Sequence, residues 1–201
     1  MNFQQHVAAF DFDGTITYCD TLLPFLLFNA GIWRTTYHLT ALTPQFVSYL
    51  RTHISRQDVK EHILTQFLAG RPRNDLLEQG EKYSQRWLPK LIRPSALQRL
   101  RWHQRQGHRC VLISANIDLY LNPWAQEMGF NDVICSVCAT DDQDRLSGKL
   151  VGENCWGPVK AKRLLNLIGP KENVVLYAYG DSAGDRDLLH LADYAFYRGL
   201  Q

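Results

Sequence analysis

The sequence predicts an α/β fold: a mostly parallel sheet covered by helices, with a block of helices inserted after the first strand. Three observations carry that expectation. A short apolar run, "HVAAF", stops at a carboxylate-rich turn. From about residue 17 to residue 93 the apolar residues recur at helical spacing. After Pro94, helical and strand-like segments alternate to the end of the 201-residue chain. Such alternation lays strands side by side in parallel and covers the sheet with the helices between them.

The segment "HVAAFDFD" reads as a buried strand, because it is short, apolar and ends in a Gly-Thr turn. Ser55 and Asp58 form a capping box that opens "SRQDVKEHILTQFL", where Val59, Ile63 and Phe67 recur every fourth residue as one apolar stripe. Asn74 stands ready to cap "DLLEQGEKYSQRWL", with Leu76, Tyr83 and Trp87 on one face and Gly80 as a weak point. Ser95 and Gln98 supply the same signal before "ALQRLRWHQRQ", which Gly107 closes. A strand "HRCVLIS" follows, then a helix through "LYLNPWAQEM" stopped by Gly129, and "DVICSVCA" as one further strand. "RLSGKLV" suggests a hairpin turning at Ser147-Gly148. "GPVKAKRLLNLI" carries Pro158 where a first helical turn tolerates it. "NVVLYAYGD" is an apolar strand with an acid at its end, and "GDRDLLHLA" and "DYAFYRG" close the chain as helix and strand.

Composition excludes several classes. The net charge of +2 comes from 22 basic and 20 acidic residues mixed along the chain, so no polybasic tract points to nucleic acid. The N-terminus has neither the basic start nor the long apolar run of a secretory signal, so a cytoplasmic protein is expected. Cys19, Cys110, Cys135, Cys138 and Cys155 are an odd set that fits reduced thiols. Cys135 and Cys138 have C-x-x-C spacing, but zinc needs four ligands and no second pair exists, so two cysteines in a strand is the plainer reading. The uncharged stretches "TLLPFLLFNAGIW" and "TTYHLTALTPQFVSYL" are each shorter than the roughly 20 residues of a spanning helix, and Pro24, Gly31 and Pro44 interrupt them. No integral membrane segment is expected.

The chemistry gathers at the strand ends: Asp11 and Asp13, then Ser114, then Asp181 and Asp185, with Lys160 beginning a helix between them. Parallel sheets place their sites beyond the carboxyl ends of their strands. Two ionised carboxylates as close as Asp11 and Asp13 repel by roughly 4 kcal/mol at an effective dielectric near 20. Cations must offset that, and Lys160 with a hard divalent ion such as Mg2+ is the obvious supply. Four aspartates against one ammonium and one divalent ion reach neutrality when one carboxyl holds a proton, and a site that accepts a phosphate dianion needs that balance. Amides following Ser114 are expected to add donors for an anion. A calcium loop is excluded, because Gly14 would stand at its position 4 and Leu22 at its position 12.

Four stretches in order, "DFDGT", "LISAN", the lysine of "GPVKAKRL" and "GDSAGD", resemble the haloacid dehalogenase superfamily, and within it the phosphoserine-phosphatase-like members of subfamily IB. The resemblance implies a Rossmann-like, doubly wound parallel core from residues 1–16 and 94–201, with residues 17–93 as an inserted helical cap of the C1 type. It implies a phosphomonoesterase that uses Mg2+ and acts on a small phosphate ester. Asp11 would be the nucleophile that becomes an aspartyl phosphate, and Asp13 the acid and then base, with a pKa raised toward neutrality. Ser114 and Lys160 would hold phosphoryl oxygens, Lys160 also restraining Asp11, with Gly14 and Ala115 in the phosphate-binding turns. Mg2+ would lie between Asp11, the backbone carbonyl of Asp13 and Asp181, and Asp185 would orient that shell.

Phosphoserine-specific relatives carry a glutamate near Asp20 to read an amino group, so Asp20 is either a substrate contact or a cap for the first inserted helix. Gly184 stands where those relatives have asparagine. The insert begins with Leu22, Leu23, Phe25, Leu26, Leu27 and Phe28, followed by Ile32 and Trp33. That run either packs the insert or faces a lipid-like substrate, as the layout also looks like bacterial phosphatases acting on phosphatidylglycerophosphate and lysophospholipids. A phosphomutase and a catalytically silent regulator are the remaining readings.

Overall fold

Strand β1 (Gln5–Phe10) lies at the centre of a five-stranded sheet, and a computed structural model describes residues 4–30 and 55–200 around it. On one side stand β2 (Arg109–Ile117) and then β3 (Asp132–Ser136). On the other stand β6 (Val174–Gly180) and then β7 (Tyr194–Tyr197). All four pairings are parallel. The register sets Phe10 against both Leu112 and Tyr179. The residues that follow, Asp11, Ser114 and Asp181, therefore emerge along one edge.

Alternation along β1 explains why both faces are dry. Ala8 and Phe10 point into one core, with Leu100, Leu112 and Trp124; Val7 and Ala9 point into the other, with Leu164, Leu176 and Leu188. Helices α4 (Pro94–Arg105) and α5 (Asp118–Glu127) cover the first face, and α6 (Pro158–Ile168) and α7 (Arg186–Leu191) the second. This is the doubly wound α/β arrangement expected from the alternation of elements.

The insert contributes α1 (residues 22–30), α2 (Arg56–Leu68) and α3 (Arg73–Arg86). Its two connections to the sheet lie side by side: Thr17 bridges Ile92, Tyr18 N donates to Leu91 O at 2.9 Å, and Arg93 N donates to Ile16 O at 2.8 Å. In α1, Phe25 and Leu26 are buried while Leu23 and Leu27 face solvent. Ile32, Trp33 and the second uncharged stretch lie outside the described residues. Among the described residues no helix is long and apolar enough to cross a membrane.

Several local expectations need correction. The Ser55–Asp58 capping box is present, but α3 starts at Arg73 behind Pro72, and α4 at Pro94 behind Arg93, neither with a side-chain cap. Backbone carbonyls supply the missing partners: Arg73 N donates to Asp144 O, and Ala96 N to Arg93 O. Proline with its fixed φ starts α4 without needing one. "DVICSVCA" divides at Val137 into β3 and β4 (Cys138–Thr140). The hairpin from β4 to β5 (Leu146–Leu150) turns over residues 141–145, where Asp141 Oδ1 accepts the amides of Gln143 and Arg145, and Ser147 and Gly148 lie inside β5. Trp87 is half-exposed, so the buried face of α3 ends with Tyr83 and Ser84. Gly80 is a contact point: a Cβ there would lie 2.0 Å from Leu119 O, so the missing side chain lets α3 touch α5. All five cysteines are free, Cys19 exposed and the rest buried.

At the end of α4, His103 is fully buried, with Nδ1 2.8 Å from His108 Nδ1 and Nε2 2.8 Å from the Tyr179 hydroxyl, which also accepts from Arg99 Nε. Burial, then His108 and Arg99, push its pKa down to about 3. The unfolded chain protonates this group first as pH falls, so stability drops with acid. The expected loss is at most roughly 1.4 kcal/mol for each pH unit below the ordinary histidine pKa. Thermal melts across mildly acidic pH check this, and His103→Gln should flatten the fall.

Candidate active site

Four segments build the site. Asp11 follows β1 directly, its amide donating to Tyr179 O at 2.9 Å, which fixes the turn against the end of β6. Lys160 lies in the first turn of α6, whose start is tied to the next segment by Gly157 N donating to Gly184 O at 3.0 Å. That placement sends the buried Lys160 Nζ to Asp11 Oδ1 at 2.5 Å and Asp185 Oδ1 at 2.6 Å. The second oxygen of Asp185 accepts from Asp181 N, Ser182 N and Ser182 Oγ at 2.8 to 3.2 Å. Asp185 thus holds Lys160 with one oxygen and the turn after β6 with the other.

Burial alone would depress the Lys160 pKa; Asp11 and Asp185 overcome it and hold the group above the usual lysine value. Asp11 is pushed up to about 6, by burial first, opposed by Lys160 and assisted by Asp185. Asp181 is raised by burial and by Asp185. Oxygens from Asp11, Asp181 and Asp185 lie within 4.8 Å of one another. Gly14 permits the close approach, because at φ +77° a Cβ there would lie 2.3 Å from Asp181 Oδ2. With Asp185 already saturated, Asp11 and Asp181 are the carboxylates left for a cation, and their all-oxygen character fits a hard divalent ion.

Asp13 sits in a different environment. Its Oδ1 accepts from Thr21 N at 3.0 Å and Thr21 Oγ1 at 2.7 Å, and its Oδ2 accepts from Asn116 Nδ2 at 2.7 Å. Thr21 is itself held: its carbonyl accepts from Tyr83 OH at 3.1 Å, and its hydroxyl lies 2.9 Å from Tyr120 OH. Burial, then the nearby Asp20 charge, raise Asp13 to about 7. It is the carboxyl in this cluster most ready to carry a proton at neutrality.

Asp11, Asp13, Lys160 and Asp181 open onto one cavity of about 610 Å³, whereas Asp185, Thr21 and Asn116 support them from outside its lining. Ser114, Ala115, Gly14 and Asp20 line it too. Asp20 does cap α1, its Oδ1 accepting from Leu22 N at 2.9 Å, while remaining at the cavity wall. The expected anion donors after Ser114 are partly spent: Asn116 N donates to Ser114 Oγ and Ile117 N to Asn116 Oδ1. Ser114 therefore accepts from a backbone amide and keeps its hydroxyl proton for another partner.

Sequence reasoning missed three groups. Asn116 orients Asp13, and its signal was its place at the end of "LISAN". Lys60 and Arg56 enter from α2, where Val59 and Ile63, read as core stripe, line the same cavity, Ile63 also packing against the core; the buried apolar residues of the helix are Leu64, Leu68 and the expected Phe67. Lys60 is a second ammonium in a site for which only Lys160 was counted. Residues spaced like 56, 59, 60 and 63 share one helix face, which is the pattern that would have found it.

Comparison with known proteins identifies the family and the fold. The haloacid dehalogenase-like hydrolase family model matches residues 8–190. Protein CicA of Caulobacter vibrioides is 32% identical over 198 residues, covering 98% of this chain and 88% of the relative. A protein of unknown function from Bordetella pertussis Tohama I superposes with a TM-score of 0.79 at 22% identity, covering 93% of this chain and 86% of that one. A phosphoserine phosphatase solved as a phospho-aspartyl intermediate analogue superposes with a TM-score of 0.59 at 18% identity, over 94% of this chain and 84% of that one. At these identities the two structural likenesses speak to the fold alone.

Proposed function

Because this chain belongs to the haloacid dehalogenase-like hydrolases, we propose that it is a phosphatase: a Mg2+-dependent phosphomonoesterase working through an aspartyl phosphate on Asp11. The observation that carries the reading is a division of labour between two carboxyls in one cavity. Asp11 is paired with an ammonium, whereas Asp13, two residues on, has no ion-pair partner among the described residues and a pKa of about 7.

Lys160 holds Asp11 Oδ1 and so orients the carboxylate toward an incoming phosphorus. A bond forms from Asp11 oxygen to phosphorus as the bond from phosphorus to the alcohol oxygen breaks, and Asp13 gives that oxygen its proton. Asp13 is then a carboxylate, still aimed by Thr21 and Asn116. It takes a proton from the water that attacks phosphorus, releasing inorganic phosphate and restoring Asp11. Ser114, whose hydroxyl proton is uncommitted, donates to a phosphoryl oxygen. Asp11, the Asp13 carbonyl and Asp181 would hold Mg2+, which when bound supplies positive charge against the phosphate dianion. Residues 17–93 would form the cap, and the Thr17–Ile92 bridge supports that boundary. Five unpaired cysteines favour a reducing compartment, the cytoplasm.

Asp13→Asn tests the assignment. For an alkyl phosphate, whose alkoxide leaves only with a proton, kcat/KM should fall roughly 10²- to 10⁴-fold. For p-nitrophenyl phosphate, whose phenolate leaves unaided, the loss should be much smaller. Equal losses on both would remove the acid role from Asp13. No phosphate release by the wild type from any monoester, with Mg2+ present, would remove the phosphatase reading.

A further inference from the structure

We propose that the indole N–H of Trp156 donates a hydrogen bond to a phosphoryl oxygen of the bound ester, which makes Trp156 a further substrate-binding residue. The proposal rests on the phosphatase reading above and gives that site a donor beyond Ser114 and Lys160.

Trp156 precedes α6 and lines the same cavity as Asp11, Ser114 and Lys160. Two contacts fix its ring. The Arg56 guanidinium stacks on it, 4.6 Å from the ring centroid. Gly184 supplies the other: a Cβ there would lie 2.4 Å from Trp156 Nε1, 2.7 Å from Cδ1 and 3.0 Å from Cε2. Were that point in line with the N–H bond, both carbons would lie much farther from it than the nitrogen does. The small spread places Gly184 against the ring face beside the nitrogen instead. Glycine at 184 thus lets the indole pack on the turn after β6 while its N–H bond points along the ring plane, past that residue. Any side chain there would evict the nitrogen.

An indole N–H is a donor with no acceptor capacity, and when buried it usually finds a partner. Among the described residues Trp156 Nε1 has none, and the atom is not sealed inside the protein. An acceptor oxygen on a ligand would complete it.

Chain connections put this donor on the phosphoryl side. Gly184 belongs to the turn whose Ser182 lines the cavity and whose Asp185 holds Lys160, the partner of Asp11. Gly157 N, directly after Trp156, donates to Gly184 O at 3.0 Å and ties the two segments together. Asp13, the acid for the leaving oxygen, is anchored elsewhere, by Thr21 at the start of the insert and Asn116 near the end of β2. The indole therefore neighbours the groups that hold phosphorus. A hydrogen bond to a charged phosphoryl oxygen is roughly twice as strong as one between neutral groups.

The experiment titrates wild type and Trp156→Phe with inorganic phosphate, Mg2+ present, by calorimetry and by 1H–15N spectra of the indoles. The Trp156 resonance is the one of five that the variant lacks. Phosphate should move it downfield by more than any other indole, and Trp156→Phe, which keeps an aromatic face for Arg56, should bind phosphate roughly 10- to 100-fold more weakly, the scale of one charged hydrogen bond. Its kcat/KM should fall by one common factor on p-nitrophenyl phosphate and on an alkyl phosphate, because both carry the same phosphoryl group, unlike the split expected for Asp13→Asn. Gly184→Ala, which displaces Nε1 without removing it, should weaken phosphate comparably and serves if Trp156→Phe fails to fold; the Trp156 resonance is then the one it shifts most. An indole resonance unmoved at saturating phosphate, wild-type phosphate affinity in the folded variant, or no phosphate binding by the wild type overturns the proposal. Phosphate release from p-nitrophenyl phosphate by the wild type tests the phosphatase reading independently. Turnover without an indole response sinks only the Trp156 assignment, and an indole response without turnover of any monoester sinks only the hydrolytic one.

Discussion

Asp11→Asn is expected to lower p-nitrophenyl phosphate turnover with Mg2+ by at least about a thousandfold, the scale seen when a covalent nucleophile is removed. The amide oxygen cannot form the acyl phosphate, and no neighbouring carboxylate can substitute. Asp13 is fixed by Thr21 and Asn116, and Asp185 has both oxygens committed. The fold should survive, because Lys160 keeps Asp185 as its counter-ion. It should even gain at alkaline pH without divalent ion. An acid whose folded pKa is raised to about 6 costs stability once pH exceeds that value, and the asparagine carries no such cost. Melting curves at pH above 7, in chelator, should place the variant no lower than the wild type. Wild-type turnover in this variant would show that phosphorus is attacked by some other group.

Lys160→Met should be the most destabilising change at the site. It leaves Asp11 and Asp185 facing one another with no cation, and breaking a buried pair from one side costs roughly 3–5 kcal/mol. For a chain of this size that corresponds to a drop in Tm of about 10 °C. Turnover should be lost as well, because Asp11 is no longer oriented. Adding Asp185→Asn removes one of the stranded charges and should recover much of the Tm while leaving turnover absent. An unchanged Tm in the single variant would mean that the ion pair carries no structural weight.

The parts of the site legible in the sequence are those at or near the ends of strands, Ser114 lying within β2 just past its last pair with β1, where the pairing with β3 becomes irregular. Asp11, Asp13, Ser114 and Asp181 each follow an apolar run, and parallel pairing brings such ends together whatever the helices do. Lys160 was legible through its place at the start of a helix. Helix starts at Arg73 and Pro94 were not, because backbone carbonyls there satisfy the donors that Asn74 and Ser95 were expected to serve. The turn at residues 141–145 was misplaced for a similar reason: Asp141 makes the turn through its side chain, without the glycine that draws attention to Ser147-Gly148.

By itself, the sequence determined the sheet, the order of its strands along the chain, and the gathering of acids and one lysine at a single edge, since strand periodicity and chain order decide those locally. Only the tertiary structure decided which charge meets which. It gave Asp185 to Lys160, Asn116 and Thr21 to Asp13, and the Ala115 carbonyl and Asn154 to Lys60. The physical reason is that Coulomb and hydrogen-bond energies change steeply over a few ångströms. Such distances are fixed by how α2 and α3 dock on the core, through contacts such as Gly80 on Leu119, and helical periodicity alone does not specify that docking.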